Sequence, residues 1–206
     1  MNLIDYQIIA DAIKWYTSRG YEYIDACWMS TRQAVDITKP PGASRMDVYA
    51  GNDDGSIGHC YDSLVASGEQ SFIELMILGE KNGGIGPGRY LCVTPCFRDE
   101  PVRDEWHHNW FLKVELISAW PFDVRGELRD MLHAARLFYD QYVPAETLKT
   151  DIGRDIVCDG IELGSYGLRS YENMNWIYGT GVAEPRLSQV IARVRQQPGT
   201  MISGKV

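Results

Sequence analysis

No stretch of this chain approaches the roughly 18 consecutive apolar residues of a membrane-spanning helix. Membrane insertion through a helix is therefore not expected. Positive charge is also in deficit: 20 Lys and Arg stand against 28 Asp and Glu, a formal net charge of −8. A protein that grips nucleic acid mainly through phosphates normally presents a basic surface. The balance argues against a large tRNA or DNA footprint and leaves room for a local basic patch. The opening MNLIDYQ lacks the basic region and apolar core of a secretory signal. Cysteine is scarce and unpatterned. Cys27, Cys60, Cys92, Cys96 and Cys158 are odd in number and scattered in apolar context, and read as buried free thiols in a reducing cytoplasm. Cys92 and Cys96 with His107 and His108 fit no standard zinc spacing. Internal repeats and low-complexity segments are missing, and so is a Walker loop. The glycine-rich KNGGIGPG of residues 81–88 precedes a strand and not a helix, the wrong order for a phosphate cradle.

What is present is a globular composition, 45% hydrophobic and 23% charged, over a length suited to a single domain, residues 1–206. Residues 3–19 predict a helix: Tyr6, Ile9, Ile13 and Tyr16 recur at helical spacing, Ile8, Ala12 and Trp15 widen the stripe, and Gly20 stops it. GYEYIDACWM predicts a strand. Residues 38–58, with Pro40-Pro41-Gly42 and Gly51-Asn52-Asp53-Asp54-Gly55, predict loop with one short strand near 46–49. Residues 67–80 predict a helix capped by Ser67, with Phe72, Leu75, Met76 and Gly79 on one face. Residues 126–143 predict a long amphipathic helix whose buried face carries Leu128, Met131, Leu132, Ala135, Phe138, Tyr139 and Tyr142, ended by Pro144. Consecutive hairpins imply an antiparallel β-sheet flanked by helices, an α+β class.

Three constellations carry chemistry. In the first, residues 90–97 and 110–119 are rich in β-branched and aromatic residues and predict a hairpin with a long loop. Arg98 and Phe111 fall at the inner ends of that loop. A cation suits a phosphate and an aromatic face suits a purine; an ordinary surface hairpin would carry the same residues. In the second, Asp159-Gly160 is a two-residue hairpin turn between apolar runs. Val157 then faces Glu162 and Asp155 faces Gly164. Asp155 and Glu162 share a face as diagonal neighbours, about 7–8 Å apart. Two carboxylates so placed can share magnesium with phosphate oxygens, Gly164 leaving room for the ligand. They would equally suit the solvated face of an open sheet. In the third, a strand runs into Gly179-Thr180-Gly181 and a helix begins near 183–185, with Leu187, Val190, Ile191 and Val194 on its buried face. Arg186 in the first turn and the free amides beside it favour an anion, and the glycines allow close approach. A surface arginine is the plainer alternative. The set suits a nucleoside triphosphate with magnesium.

These segments resemble the class II aminoacyl-tRNA synthetase catalytic core. CFRDEPVRDEWHHNWFLKVEL resembles that family's motif 2, which implies Arg98 on the α-phosphate, Glu100 as the acidic residue that follows it, and Phe111 stacked on adenine. GTGVAEPRL resembles motif 3, which implies Arg186 on the γ-phosphate. FRDE and DIVCDGIELGSYGLR look nearest the aspartyl, asparaginyl and lysyl subgroup, with Asp155 and Glu162 as the magnesium carboxylates. SGEQSF resembles the start of the amino-acid-binding helix, with Gln70 at the matching glutamine, and Arg169 matches the arginine that reads the acidic side chain in the aspartyl subgroup, so the resemblance implies an amino-acid pocket of Glu69, Gln70 and Arg169. His107 and His108 fall where relatives place residues near the γ-phosphate or in a flexible loop, and phosphate contact by His107 is the expectation. Motif 1 is degenerate, because Cys27 replaces the proline of the dimer interface, and Ile73 stands where the aspartyl enzymes carry a lysine. No segment is left for an anticodon-binding domain. The resemblance implies a cytoplasmic, homodimeric, stand-alone paralogue that uses ATP and Mg2+ to activate an amino acid as its adenylate. The acceptor is open: tRNA, a protein, or a small amine, as in an aspartate–ammonia ligase. A non-catalytic paralogue that binds an amino acid and regulates a partner is the reading from a different class. The loop at 99–109 is the expected contact for the acceptor.

Overall fold

The computed structural model describes residues 4–52, 57–100 and 104–196. Asp53-Asp54-Gly55 of the expected loop and residues 101–103 of the expected acceptor contact lie outside these.

A seven-stranded sheet runs in the order β1-β5-β6-β10-β9-β8-β7. Its strands are β1 (Glu22–Tyr23), β5 (Gly88–Phe97), β6 (Trp110–Ala119), β7 (Glu146–Lys149), β8 (Arg154–Cys158), β9 (Ile161–Tyr171) and β10 (Met174–Glu184). Every pairing is antiparallel except β1 with β5, so the sheet is mixed at that edge. A smaller sheet, β2-β4-β3, is built from β2 (Met29–Ser30), β3 (Asp47–Gly51) and β4 (Ile57–Leu64). The helices are α1 (Tyr6–Thr17), α2 (Arg32–Thr38), α3 (Gly68–Leu78), α4 (Val124–Tyr139) and α5 (Arg186–Gln196).

Strand alternation divides the large sheet into two faces. On the back, Leu91, Val114, Leu116, Ile177 and Val182 pack against α1, α4 and α5 through Tyr16, Met131, Phe138 and Val190. On the front, Tyr90, Cys92, Ile117, Trp176 and Tyr178 meet Phe72, Ile73 and Met76 of α3. α3 covers only part of this face. Its N-terminus is fixed by Ser67, which accepts the Glu69 amide as the sequence implied. The rest of the front face is open.

Several expectations need correction. GYEYIDACWM yields two short strands, and helix α2 and strands β4 and β7 were not foreseen. Cys27 is exposed, whereas Cys92, Cys96 and Cys158 are buried free thiols; the Cys60 side chain lies outside the described residues. Tyr6 is exposed, because the stripe of α1 centres on Ile8, Ile9, Ala12 and Tyr16. Pro144 does not end α4, which stops at Tyr139 with Asp140 as its C-cap. β10 does not stop at Gly179-Thr180-Gly181 but continues to Glu184, and a cis Glu184–Pro185 bond turns the chain into α5. Those glycines serve the back face. A Cβ on Gly179 would meet Met131 and Tyr166, and one on Gly181 would meet Val114 and Tyr16.

Candidate active site

The open part of the front face is a cleft of about 620 Å³, within the range of small-molecule sites. Its floor is made of alternate residues of neighbouring strands. On β6, Phe111, Lys113 and Glu115 point the same way, and the register sets Cys96 opposite Phe111 and Thr94 opposite Lys113. On β10, Thr180 stands opposite Glu115 and Ala183 opposite Lys113, a bulge at Gly181 absorbing the extra residue. β9 adds Ser165 and Arg169. The wall is residues 38–46 with α2 and the small sheet. Arg45 ties that wall together through Asp36 at 2.8 Å and Asp47 at 2.6 Å.

Arg98 follows β5 directly. Its amide donates to the Asn109 carbonyl at 2.8 Å and its Nε to the Ala66 carbonyl at 3.3 Å. Its guanidinium lies 5.0 Å from the Phe111 ring centroid, within cation–π reach. Arg186 opens α5. It donates to the Trp106 carbonyl at 3.2 Å and the Glu162 carbonyl at 3.3 Å, and pairs with the Glu162 carboxylate at 3.7 Å. Arg98, Glu100, Phe111, Glu162 and Arg186 all line the cleft and an adjoining compartment that adds Trp106, His107 and His108. His107 is exposed and its ring meets Asp104 at 2.8 Å. Of the two tryptophans of this loop, Trp106 packs on the back-face core and Trp110 is exposed.

At the other end, Glu69 is buried. It pairs with Arg169 and accepts from the Trp176 indole at 2.7 Å. Burial pushes the Glu69 carboxyl above its ordinary range, with Arg169 opposing. The Arg169 guanidinium lies 4.4 Å from the Tyr178 ring centroid. Gln70 is also buried, and its amide is spent internally: Oε1 accepts from Ala66 at 2.8 Å and Nε2 donates to Thr38 at 3.3 Å. Gln70 therefore lines the cleft while bracing the end of α2.

The β8–β9 turn has positive φ at both Asp159 (52°) and Gly160 (76°), the conformation a two-residue hairpin of this type requires. Val157 faces Glu162 as the sequence implied. Beyond it the register slips: Leu163 is an extra residue, so Asp155 faces Ser165 and not Gly164. Strand alternation keeps Asp155 and Glu162 on one face, but Glu162 lines the cleft and Asp155 lines neither it nor the adjoining compartment. Gly164 instead stands opposite Ile156. A Cβ there would meet Thr180 and the Tyr139 and Tyr166 hydroxyls, so its space goes to packing and not to a ligand. Among the described residues no three His, Cys, Asp or Glu side chains converge. Two carboxylates on one face nevertheless fit magnesium, whose shell substrate phosphates and water commonly complete.

Sequence reasoning missed the centre of the floor. Lys113 and Glu115 are both buried and pair at 2.5 Å. Lys113 also donates to the Ser67 hydroxyl at 2.9 Å. Glu115 accepts from the same Ser67 hydroxyl and from the Glu69 amide. Burial, the largest single influence, opposes the lysine's charge, but Glu115 and Cys96 together hold Lys113 above its ordinary pKa. The missed signal was two charges, two and four residues after Phe111, in an otherwise apolar strand.

No protein-family model matches the chain, and no curated protein matches it. Solved structures do. Pyrrolysyl-tRNA synthetase from Desulfitobacterium hafniense superposes with a TM-score of 0.64 at 16% identity, covering 91% of this chain and 69% of that one. Cytoplasmic serine-tRNA ligase from Naegleria fowleri, in complex with AMP, gives 0.66 at 15% identity, over 93% of this chain and 49% of that one. Seryl-tRNA synthetase from Pyrococcus horikoshii, complexed with ATP, gives 0.65 at 16%, over 91% and 49%. The chain spans about half the length of the two seryl enzymes. It has the α+β fold of the class II aminoacyl-tRNA synthetase catalytic core.

Proposed function

We propose that this chain uses ATP to activate the carboxylate of an amino acid as an aminoacyl-adenylate. The observation that carries the reading is one cleft lined by Arg98, Phe111 and Arg186, in a fold whose Pyrococcus horikoshii representative was solved with ATP. A substrate carboxylate oxygen attacks the α-phosphorus, the new O–P bond forms, and the bond to pyrophosphate breaks with its electron pair. The protein contributes position and charge. Arg98 stabilises charge on the α-phosphate while Phe111 holds the purine face. Glu100 borders the same region. Arg186 holds the γ-phosphate from the first turn of α5, with His107 beside it. Glu69, Gln70 and Arg169 bound the amino-acid end. Asp155 and Glu162 are the carboxylates that would hold Mg2+, which would neutralise phosphate charge.

The reading includes a cytoplasmic homodimer. No described helix is long and apolar enough to cross a membrane. β1 is an edge strand whose Tyr23 is exposed, and Trp28 and Met29, which follow it in the chain, are exposed too, apolar surface of the kind partners cover. The acceptor of the activated amino acid is a tRNA, a protein or a small amine.

Amino-acid-dependent exchange of labelled pyrophosphate into ATP, screened over all twenty amino acids, tests the reading. Wild type should exchange with at least one. Arg98→Ala and Arg186→Ala should each lose about 10²–10³-fold with circular dichroism unchanged. Undiminished exchange in both variants would sink the proposal.

A further inference from the structure

The Lys113 ammonium has three N–H donors. Glu115 Oε2 takes one at 2.5 Å and Ser67 Oγ a second at 2.9 Å. The third has no acceptor among the described residues. The Thr94 hydroxyl, which the register sets opposite, does not take it and is itself buried without a partner. Glu115 Oε2, the partner of the first, also receives the Ser67 hydroxyl and the Glu69 amide. A buried ammonium with an unused donor is costly unless something in the cleft accepts from it, and Lys113 lines the cleft.

The position of this donor says what it would meet. Phe111, Lys113 and Glu115 follow one another on one face of β6, about 6.6 Å apart by strand geometry. Arg98 stacks at the Phe111 end. Tyr178, one step past Thr180 on β10, carries the Arg169–Glu69 pair at the other. Lys113 thus lies one step from the α-phosphate end of the cleft, towards the amino-acid end.

We propose that Lys113 is a catalytic residue that binds the carboxylate being activated. This assignment rests on the adenylating function given above. The free N–H of Lys113 holds the carboxylate oxygen that does not attack. The other oxygen forms the bond to the α-phosphorus as pyrophosphate departs, and Lys113 keeps its proton throughout. Glu115 and Ser67 are positioning residues that fix the ammonium. The cleft consequently selects ligands with a free carboxylate over the corresponding amides and esters.

Two measurements test this. In the first, the Lys113 Nζ resonance is identified in 15N NMR spectra by its loss in Lys113→Met. Wild type is then titrated with the pooled twenty amino acids and, separately, with the pooled amino-acid amides. A saturable shift with the amino acids and none with the amides is expected. The same response to both pools, or to neither, overturns the assignment. In the second, Lys113→Met and the charge-balanced Lys113→Met/Glu115→Gln are assayed. Either variant should bind ATP–magnesium within about threefold of wild type, with exchange lowered about 10²-fold and the KM for the amino acid raised more than that for ATP. Wild-type exchange that survives both substitutions overturns the assignment and leaves the adenylation reading standing. A shift of Lys113 by the amino acids in a wild type that never exchanges pyrophosphate keeps the carboxylate site and overturns adenylation.

Discussion

Arg169 and Glu69 meet across the front of the sheet, the guanidinium lying over the Tyr178 ring while the carboxylate is buried beneath α3. The pair closes one end of the cleft and makes it electrically neutral there. The positive charge that remains for a ligand stands at the opposite end, on Arg98, with Arg186 in the same compartment and paired to Glu162 at 3.7 Å. This polarity suits a triphosphate at one end and a smaller, zwitterionic partner at the other.

Glu69 gives the pair a pH signature. Burial raises its carboxyl above the ordinary 4.5, Arg169 opposing. A carboxyl raised in the folded state binds its proton more readily there than in the unfolded chain. Its contribution to stability is therefore full below the unfolded value and is lost as pH rises through the folded one. Urea unfolding of wild type and Glu69→Gln should show the stability difference shifting towards wild type as pH is lowered from neutral towards 4.5. A difference that does not change over that span would contradict the burial effect.

Asp47 should behave in the opposite sense. Hydrogen bonds from Arg45 and then Ser63 lower it from 3.8 to about 2. Its contribution is present above 3.8 and lost as pH falls towards 2. Asp47→Asn should loosen the wall formed by α2 and the small sheet at pH 6 and have little effect near pH 2. Hydrogen exchange of the α2 amides at the higher pH, and thermal unfolding at both, would register this.

Phe111 makes a prediction independent of the charges. Base stacking on an aromatic ring is worth about 1–3 kcal/mol. Phe111→Ala should weaken ATP binding by roughly 5- to 150-fold on that scale, with the amino-acid KM changed far less. Calorimetric titration with ATP–magnesium measures the first and pyrophosphate exchange the second.

Gly179 tests the back face. A Cβ there would lie 2.5 Å from the Tyr166 ring and 2.6 Å from Met131 Sδ. Gly179→Ala should destabilise the fold by about 1–3 kcal/mol through overpacking, read from urea unfolding. The glycine's use is packing against α4 and Tyr166, so this loss should appear without ligand.

Most of the long, periodic elements could be read from the chain. α3, α4, α5 and the β5–β6 hairpin announce themselves by spacing, and Asp159-Gly160 by turn chemistry. α2 was hidden because its seven residues are too few to show a period. β7 was hidden because all four of its residues are exposed, so it has no apolar alternation to display. The bulge at Leu163 was illegible for another reason. An extra residue in one strand alters register without altering composition, and only the partner strand reveals it. Lys113 and Glu115 escaped because a charge pair inside a strand reads as a solvated face until the covering helix is known. Gly179, Gly181 and Gly164 read as room for a ligand, yet the space they leave is filled by Tyr16, Met131 and Tyr139 of the opposite helical layer and by Val114, Tyr166 and Thr180 of the sheet itself.

That opposition of layers has a consequence for how the cleft can change. Odd and even positions of β6 belong to different trades: Val114 and Leu116 hold the helices, while Lys113 and Glu115 face the cleft. A substitution at one parity leaves the neighbouring side chain pointing through the sheet and away from it. New ligand preferences can therefore accumulate on the front of this protein, residue by residue, without renegotiating the packing behind.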